Sequence, residues 1–229
     1  MKALKSNRFL YTPYIHFAFL AIVCFSVYSN NYHHSYNLDS GHVALENPYI
    51  RSLKYIPQYF TDPSTFSALR ANVDYRPVLQ VTYALNYWMG GYDTFWWHFT
   101  QILIHLICVM GLYFFAEVVL EKFSYSTGKN SFYTVPFIAA LIFSLHPYAS
   151  GVVNYFSARS SMLTAAFLLP SFITYFKSEG SSKNRKYWDS LGYFILALFT
   201  KVEAVAALAV FFFTEILLQK IRSGNLLKD

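Results

Sequence analysis

The stretch HFTQILIHLICVMGLYFFA, residues 98–116, contains no Asp, Glu, Lys or Arg. A second uncharged block, FLYTPYIHFAFLAIVCFSVY, occupies residues 9–28. Each block is about as long as the helix needed to cross roughly 30 Å of hydrocarbon. Of the 229 residues, 55% are apolar and only 13% are charged, whereas an ordinary soluble domain has roughly 25% charged residues. The sequence therefore predicts an all-α, polytopic membrane protein.

The apolar blocks predict about six transmembrane helices in a single membrane domain that covers residues 1–229. Their predicted bounds are residues 9–29, 98–118, 132–147, 159–176, 187–201 and 203–219. The first block is interpreted as a retained helix because no small-residue cleavage site clearly follows it, although a signal anchor stays open. The last two segments are short and are separated near Lys201 and Glu203, which indicates a tight helical pair. Pro147 disfavours helical geometry at His146, so the third helix is expected to end there.

Residues 30–97 form a loop that is too long for a simple connector and too rich in aromatic residues to be disordered. Within it, residues 78–89 have an apolar face interrupted by Gln80, Thr82 and Asn86, which predicts an amphipathic helix at the membrane interface. The neighbouring rings are of the kinds found at such interfaces: Tyr87, Trp88, Tyr92, Trp96 and Trp97. The same rings could merely anchor the second transmembrane helix, so both interpretations stay open.

The distribution of Lys and Arg predicts the orientation, because short cytoplasmic loops are enriched in these residues. Twelve of the eighteen lie at the two ends of the chain or in two connections: Lys2, Lys5, Arg8, Lys122, Lys129, Lys177, Lys183, Arg185, Lys186, Lys220, Arg222 and Lys228. The opposite side, with its far longer first loop, carries the rest: Arg51, Lys54, Arg70, Arg76, Arg159 and Lys201. Both termini are therefore predicted to be cytoplasmic. The same asymmetry accounts for the pI near 9.1, and nothing indicates a nucleic-acid partner.

The cysteines and histidines do not predict a metal or disulfide framework. Cys24 and Cys108 each lie inside a predicted span, where a thiol acts as a small apolar side chain. His98 and His105 are seven residues apart, unlike the four-residue spacing of paired zinc ligands on a helix. His16 and His105 are interpreted as buried hydrogen-bonding residues.

A set of polar motifs follows one order between about residue 10 and residue 215: Asp39-Ser40, Asn47-Pro48, Tyr75-Arg76-Pro77, Asn86-Tyr87, His98, His105, His146-Pro147, Asn154-Tyr155, Arg159 and Thr200-Lys201. This set resembles the N-terminal membrane part of the tetratricopeptide-repeat transmembrane O-mannosyltransferases, a family of the GT-C glycosyltransferase superfamily. The resemblance implies a GT-C-like fold and an enzyme that transfers a sugar from a polyprenyl-phosphate donor to a protein or glycan acceptor. Inverting transfer at the extracytoplasmic face is the expectation for this class, in a bacterial inner membrane or an endoplasmic reticulum membrane.

Asp39 matches the acid that commonly serves these enzymes as general base or orienter of the acceptor. An acceptor hydroxyl that attacks the anomeric carbon must lose its proton, and a carboxylate close to the bilayer suits that task. From the residues alone, Asp39 is more simply an ordinary loop acid, and the catalytic role is what the resemblance implies. The family often has a second acid directly after the first, where this chain has Ser40, and Glu46 is the nearest substitute. This departure argues against metal binding and paired-acid chemistry, and a divalent metal ion stays open without support from the sequence.

A lipid-phosphate leaving group requires positive charge near the membrane surface. The resemblance makes Arg76 and Arg159 the candidate phosphate contacts, with His98 and Lys201 as weaker candidates for phosphate or acceptor binding. The alternative is that these cations snorkel or pair with acids such as Asp74, Asp93 or Glu203. Glu203 is also a secondary acid candidate.

Two further local departures from the family pattern concern the segments around Lys201 and Arg159. The family usually reads Ser-Lys-Glu where this chain has Thr200-Lys201-Val202-Glu203, and Ser161 replaces an acid that often follows the arginine. A rival interpretation is a non-catalytic subunit, a truncated remnant or a transporter fragment, because the family continues into further helices. In a two-chain assembly, a second chain would supply those helices. A transporter would more naturally show broken or polar positions inside several spans, whereas the polar clusters here lie at one membrane face.

Overall fold

The computed structural model describes residues 13–33, 36, 41–69, 71–123 and 133–222. Every regular element within these residues is helical, which confirms the all-α class. The longer helices are α1 (Pro13–Val27), α2 (Pro77–Gly90), α3 (Thr94–Lys122), α4 (Val135–Leu145), α5 (Pro147–Asn154), α6 (Arg159–Ser178), α7 (Arg185–Leu198) and α8 (Ala207–Arg222). Each of the six predicted transmembrane segments thus contains a helix, at least in its described part.

Two stretches are long and apolar enough to cross a bilayer within the described part of the chain. They are α3, with 29 residues, and the continuous stretch Phe156–Ser178, with 23 residues. Helices α4 and α5 form a third candidate if they are counted as one span, because they meet at a 58° bend. A crossing number of six stays a prediction.

Side-chain caps explain where several helices begin. The Asp93 carboxylate accepts a hydrogen bond from the backbone N–H of Phe95 at the start of α3, four residues before the predicted bound. At the bend, the backbone N–H of Tyr148 donates to Nδ1 of His146. Helix α4 therefore ends at Leu145, and Pro147 occupies the first position of α5, where its missing N–H costs nothing.

Helix α3 lies at the centre of the helix packing and contacts α1, α4 and α6. Its buried residues include Ile102, Cys108 and Tyr113, and they join one apolar core with residues of the three neighbouring helices. His16 of α1 lies buried in this core, with Nδ1 3.1 Å from the Tyr113 hydroxyl, so its interpretation as a buried hydrogen-bonding residue is confirmed. This packing holds α3 and α6 in place, and the long loop lies against one end of them.

The described part of the long loop folds against that end of the helices. The buried Asn47 amide donates to the carbonyls of Thr65 and Phe66, at 3.0 Å each. Gln80 of α2 donates to the Thr65 hydroxyl at 3.0 Å, which attaches α2 to the loop. The backbone N–H of Val78 donates to the Phe199 carbonyl, which attaches α2 to the end of α7. Helix α2 is thereby held between the loop and this end of the helices.

Gly90 permits a close approach that a larger residue would block. A Cβ at this position would overlap the indole of Trp96, whereas a Cβ at Gly151 of α5 would meet no atom within 4 Å. We expect Gly90→Ala to lower the free energy of unfolding by about 1–3 kcal/mol, because the indole must move. The matched Gly151→Ala should raise it by about 0.5–1 kcal/mol, because alanine favours the helix. Thermal unfolding in detergent micelles measures both, and equal effects of the two variants would contradict the packing described.

Candidate functional site

A polar cleft of about 280 Å³ opens where the loop, α2 and the start of α6 meet. Its polar lining comes from all three regions: His42, Asn72, Asp74, Arg76, Tyr83 and Ser157. His42 is itself held in place, with Nδ1 3.0 Å from the Ser67 hydroxyl and Nε2 3.2 Å from the Asn72 amide. The cleft therefore has a fixed polar wall on the loop side and a cation on the helix side.

Arg76 is the cation of this cleft, and its side chain remains 23% exposed. Its Nη2 lies 2.6 Å from the Asp74 carboxylate, and its Nη1 donates to the Ser160 hydroxyl at 3.2 Å. The guanidinium also lies 5.6 Å from the ring centroid of Phe66. Arg76 thus joins the loop end of α2 to the first turn of α6.

Lys201 reaches the same turn of α6 from the connection between α7 and α8. Its ammonium donates to the Ser161 hydroxyl at 3.4 Å and lies 3.4 Å from the Glu203 carboxylate. The structure therefore brings Arg76 and Lys201 to consecutive serines at the positive end of the α6 dipole. The pairing with Asp74 and Glu203 that the sequence left open is present for both cations.

Arg159 lies beneath this surface and is fully buried. Its Nε donates to Gln101 at 2.7 Å, Nη1 donates to the Asn86 side-chain oxygen, and Nη2 donates to the Trp97 carbonyl at 3.1 Å. The guanidinium carbon lies 5.0 Å from the ring centroid of Tyr83 and 5.4 Å from that of Trp97. None of the ion pairs among the described residues includes it.

Two tyrosines complete the surroundings of Arg159. The Tyr83 hydroxyl donates to the Phe156 carbonyl at 3.0 Å, and burial raises the pKa of this phenol, although the positive charges of Arg159 and Arg76 oppose the rise. Burial likewise raises the pKa of Tyr36, whose ring packs against Trp97 and Phe156. Both phenols therefore stay protonated at neutral pH and act as donors.

The other predicted site residues are dispersed. Asp39 lies outside the described residues, and Glu46 is exposed away from the cleft lining. His98 is buried, with its ring centroid 4.5 Å from that of Phe156, so it adjoins the Arg159 region rather than the open cleft. His105 is buried deeper along α3, between Tyr28 and Phe143. Within the described ranges, His, Cys, Asp and Glu form no group of three that could hold a metal ion.

Sequence reasoning missed Gln101, Tyr36 and Tyr83 as parts of the site. The sequence did contain a signal for Gln101, because it is a polar residue in an otherwise apolar block. In the structure its amide donates to the Tyr155 carbonyl at 3.1 Å. The tyrosines carried no such signal, since the loop contains many aromatic residues.

The fold and the cleft define an all-helical membrane protein with a cationic site at one end of its helices. The sequence is 26% identical to human protein O-mannosyl-transferase TMTC4 over 188 residues, which cover 79% of this chain and 25% of that protein. It is 24% identical to the mouse protein of that name over 208 residues, or 84% of this chain and 28% of that protein. It is 25% identical to Drosophila melanogaster protein O-mannosyl-transferase Tmtc3 over 135 residues, or 53% of this chain and 14% of that protein.

These relatives confirm the resemblance to the tetratricopeptide-repeat transmembrane O-mannosyltransferases for a part of that family's length. The chain spans about a quarter of the length of the two TMTC4 proteins. No protein-family model matches the chain. No solved structure matches it either.

The Arg159 network should be sensitive to a change that keeps the charge. A lysine ammonium cannot reach all three acceptors that surround the planar guanidinium, so Arg159→Lys leaves buried acceptors among Asn86, Gln101 and the Trp97 carbonyl without a donor, at about 1–3 kcal/mol each. We expect a loss of several kcal/mol in the free energy of unfolding, by the same principle. Arg185→Lys is the matched control, because its side chain is 93% exposed. Thermal unfolding in micelles measures the difference, and an unchanged melting temperature for Arg159→Lys would disprove the network's structural role.

Proposed function

We propose that this chain forms part of a GT-C-type glycosyltransferase that moves a sugar from a polyprenyl-phosphate donor to a protein or glycan acceptor at the extracytoplasmic membrane face. The observation that carries the proposal is the pair of cations, Arg76 and Lys201, on consecutive serines beside a polar cleft. Two further facts support it: the relatives are named protein O-mannosyl-transferases, and both cations lie in motifs that resemble that family.

The cation pair suits a phosphate leaving group. Phosphate oxygens accept charge-assisted hydrogen bonds from arginine more strongly than from neutral donors. Arg76 is partly exposed and already paired with Asp74, so a phosphate can replace the carboxylate as its partner without moving the α6 anchor. The positive end of α6 adds to this attraction. Charge that develops on the leaving phosphate is therefore stabilised by groups that are already in place.

For the base we retain Asp39, which precedes His42 of the cleft lining by three residues in the sequence. In this role its carboxylate accepts the proton of the acceptor hydroxyl as that oxygen attacks the anomeric carbon. Glu46 and Glu203 are secondary candidates, and both are exposed. Glu203 is already paired with Lys201, which makes it the less available of the two.

Arg159 and His98 receive a positioning role in this proposal. The Arg159 guanidinium would have to release Asn86, Gln101 or the Trp97 carbonyl before it could bind phosphate. Phosphate contact by Arg159 or by the buried His98 stays a prediction.

The proposed topology has six crossings with both termini in the cytoplasm, in a bacterial inner membrane or an endoplasmic reticulum membrane. Two contacts support a common end for the basic connections: Lys122 of α3 pairs with Glu179 at 2.8 Å, and Tyr175 of α6 donates to Glu215 of α8 at 2.8 Å. Arg76 and Lys201 meet α6 at its other end, where the predicted extracytoplasmic loop lies.

Transfer of labelled sugar from polyprenyl-phosphate donors by the purified chain in lipid tests the proposal. We expect Arg76→Gln to lower the transfer rate about 100-fold, as losing one preorganised contact to a developing charge does in other enzymes. Asp39→Asn should lower kcat while the donor still binds, because only the base is lost. Lys54→Gln is the control, since this exposed loop lysine lies outside the cleft lining.

The transfer rates of the wild type and the two variants test the proposed activity and the two residue roles separately. Absence of transfer by the wild-type chain would exclude catalysis by this chain alone and favour a non-catalytic subunit. Equal transfer by wild type and Arg76→Gln would remove Arg76 from the site, and equal transfer by Asp39→Asn would remove the proposed base.

Substitution of Asp74 should strengthen donor binding, whereas substitution of Arg76 should impair transfer. If phosphate displaces Asp74 from Arg76, then Asp74→Asn removes the competitor and should lower the KM for the donor, by about two- to fivefold for a partly exposed ion pair. A purely structural ion pair predicts instead an unchanged or higher KM together with a lower melting temperature. Measuring KM and melting temperature on the same preparation separates these results.

A further inference from the structure

The end of the molecule opposite the cleft carries a second polar surface. Helices α6 and α7 are joined by a tight turn in which Glu179 and Gly180 both have positive φ, at 57° and 67°. Residues 177–181 and 183–185 line an open depression of about 760 Å³ at this turn. We call it the basic depression, because four exposed cations lie at or beside it: Lys177, Lys183, Arg185 and Lys186.

The charge of the basic depression is only partly neutralised. Glu179 pairs with Lys122 of α3 at 2.8 Å, and Asp189 lies 3.9 Å from Arg185. Among the residues that the structure describes, Lys177, Lys183 and Lys186 form no ion pair. The Glu215 carboxylate also lies beside Gly180 of this turn. With three lysines outside any ion pair of the described ranges, an anion that approaches still meets a net positive potential.

An apolar groove begins beside the basic depression. It has a volume of about 230 Å³ and lies between α6, α7 and α8, lined chiefly by Tyr175, Tyr187, Leu191, Phe194, Leu208 and Phe211. Tyr175 precedes Lys177 by two residues, and Tyr187 follows Arg185 by two residues. The groove is therefore no more than about one helical turn from the cations.

A site with a cationic rim and an apolar groove matches one class of ligand on both counts. We infer that the α6–α7 turn and the groove beside it bind an anionic glycerophospholipid of the bilayer, with its headgroup at Lys177 and Lys183 and part of one acyl chain against Phe194 and Phe211. A free anion would leave the groove unused, and a neutral lipid would leave the cations unused. The orientation proposed above places this turn at the cytoplasmic leaflet, where anionic lipids are concentrated.

This site lies at the opposite end of α6 from the transfer cleft and does not depend on the transfer reaction. It supplies a reason for basic residues at the turn beyond orientation. Helices α6 and α7 pack directly against each other, with the buried hydroxyls of Ser171 and Ser190 hydrogen-bonded between them, and the groove lies where α8 joins this pair, so a bound lipid would link α8 to it. Lipid binding should therefore raise the melting temperature of the chain.

Binding of dioctanoyl phosphatidylserine to the delipidated full chain in detergent tests the inference, with the apparent Kd read by native mass spectrometry. Dioctanoyl phosphatidylcholine measures the need for net charge, and glycerophosphoserine, which lacks acyl chains, measures the need for the groove. We expect phosphatidylserine to bind at least tenfold more tightly than either. Raising the salt from 0.15 to 1 M should weaken its binding, because the Debye length falls from about 8 Å to about 3 Å.

The double substitution Lys177→Gln/Lys183→Gln assigns the headgroup to this turn. It should weaken phosphatidylserine binding about 25-fold, or about fivefold for each charge removed. Lys54→Gln removes one exposed charge at the other end of the molecule and should change nothing. Equal binding of phosphatidylserine and phosphatidylcholine, tight binding of glycerophosphoserine alone, or an unchanged Kd in the double variant would each overturn the inference.

Discussion

The buried guanidinium of Arg159 is the constraint on which the site end of the molecule depends. A cation inside an apolar bundle is tolerated only when its donors are satisfied, and here they bind Asn86 of α2 together with Gln101 and the Trp97 carbonyl of α3. These contacts fix the start of α6 against two other helices. Ser160 and Ser161 follow Arg159 directly, so the positions at which Arg76 and Lys201 attach are set by the same network.

The choice of neutral partners for Arg159 has an electrostatic consequence. A carboxylate would solvate the guanidinium and also cancel its charge, whereas amide and carbonyl oxygens solvate it and leave the charge in place. The faces of Tyr83 and Trp97 act in the same way, since a ring quadrupole attracts a cation without neutralising it. Burial raises the pKa of the Tyr83 phenol, and the positive charges of both Arg159 and Arg76 act to lower it against that larger rise. The buried charge thus adds to the potential of the cleft above it.

Periodicity and composition predicted the elements of this fold better than its contacts. The uncharged block at residues 98–116 predicted a helix, and α3 extends beyond it because the Asp93 cap starts it earlier, at Thr94. The sequence could place Arg159 only at the end of a span, because its burial depends on where α2 packs, some seventy residues away in the chain. The same long-range packing brings Gln101 to Arg159, whose Nε donates to its side-chain oxygen. Local patterns therefore specified the helices, and tertiary packing specified which polar residues face each other.

The Asp74–Arg76 pair suggests how phosphate binding could raise the rate of the proposed reaction and not only the affinity for the donor. A sugar donor linked through a phosphodiester carries one negative charge, whereas the departing phosphomonoester carries about −1.5 to −2 near pH 7. A carboxylate that already occupies Arg76 competes well with the single charge and poorly with the larger one. The exchange of Asp74 for phosphate is then most favourable as the glycosidic bond breaks. Binding that strengthens as charge develops lowers the barrier, while binding equal in both states would only lower KM.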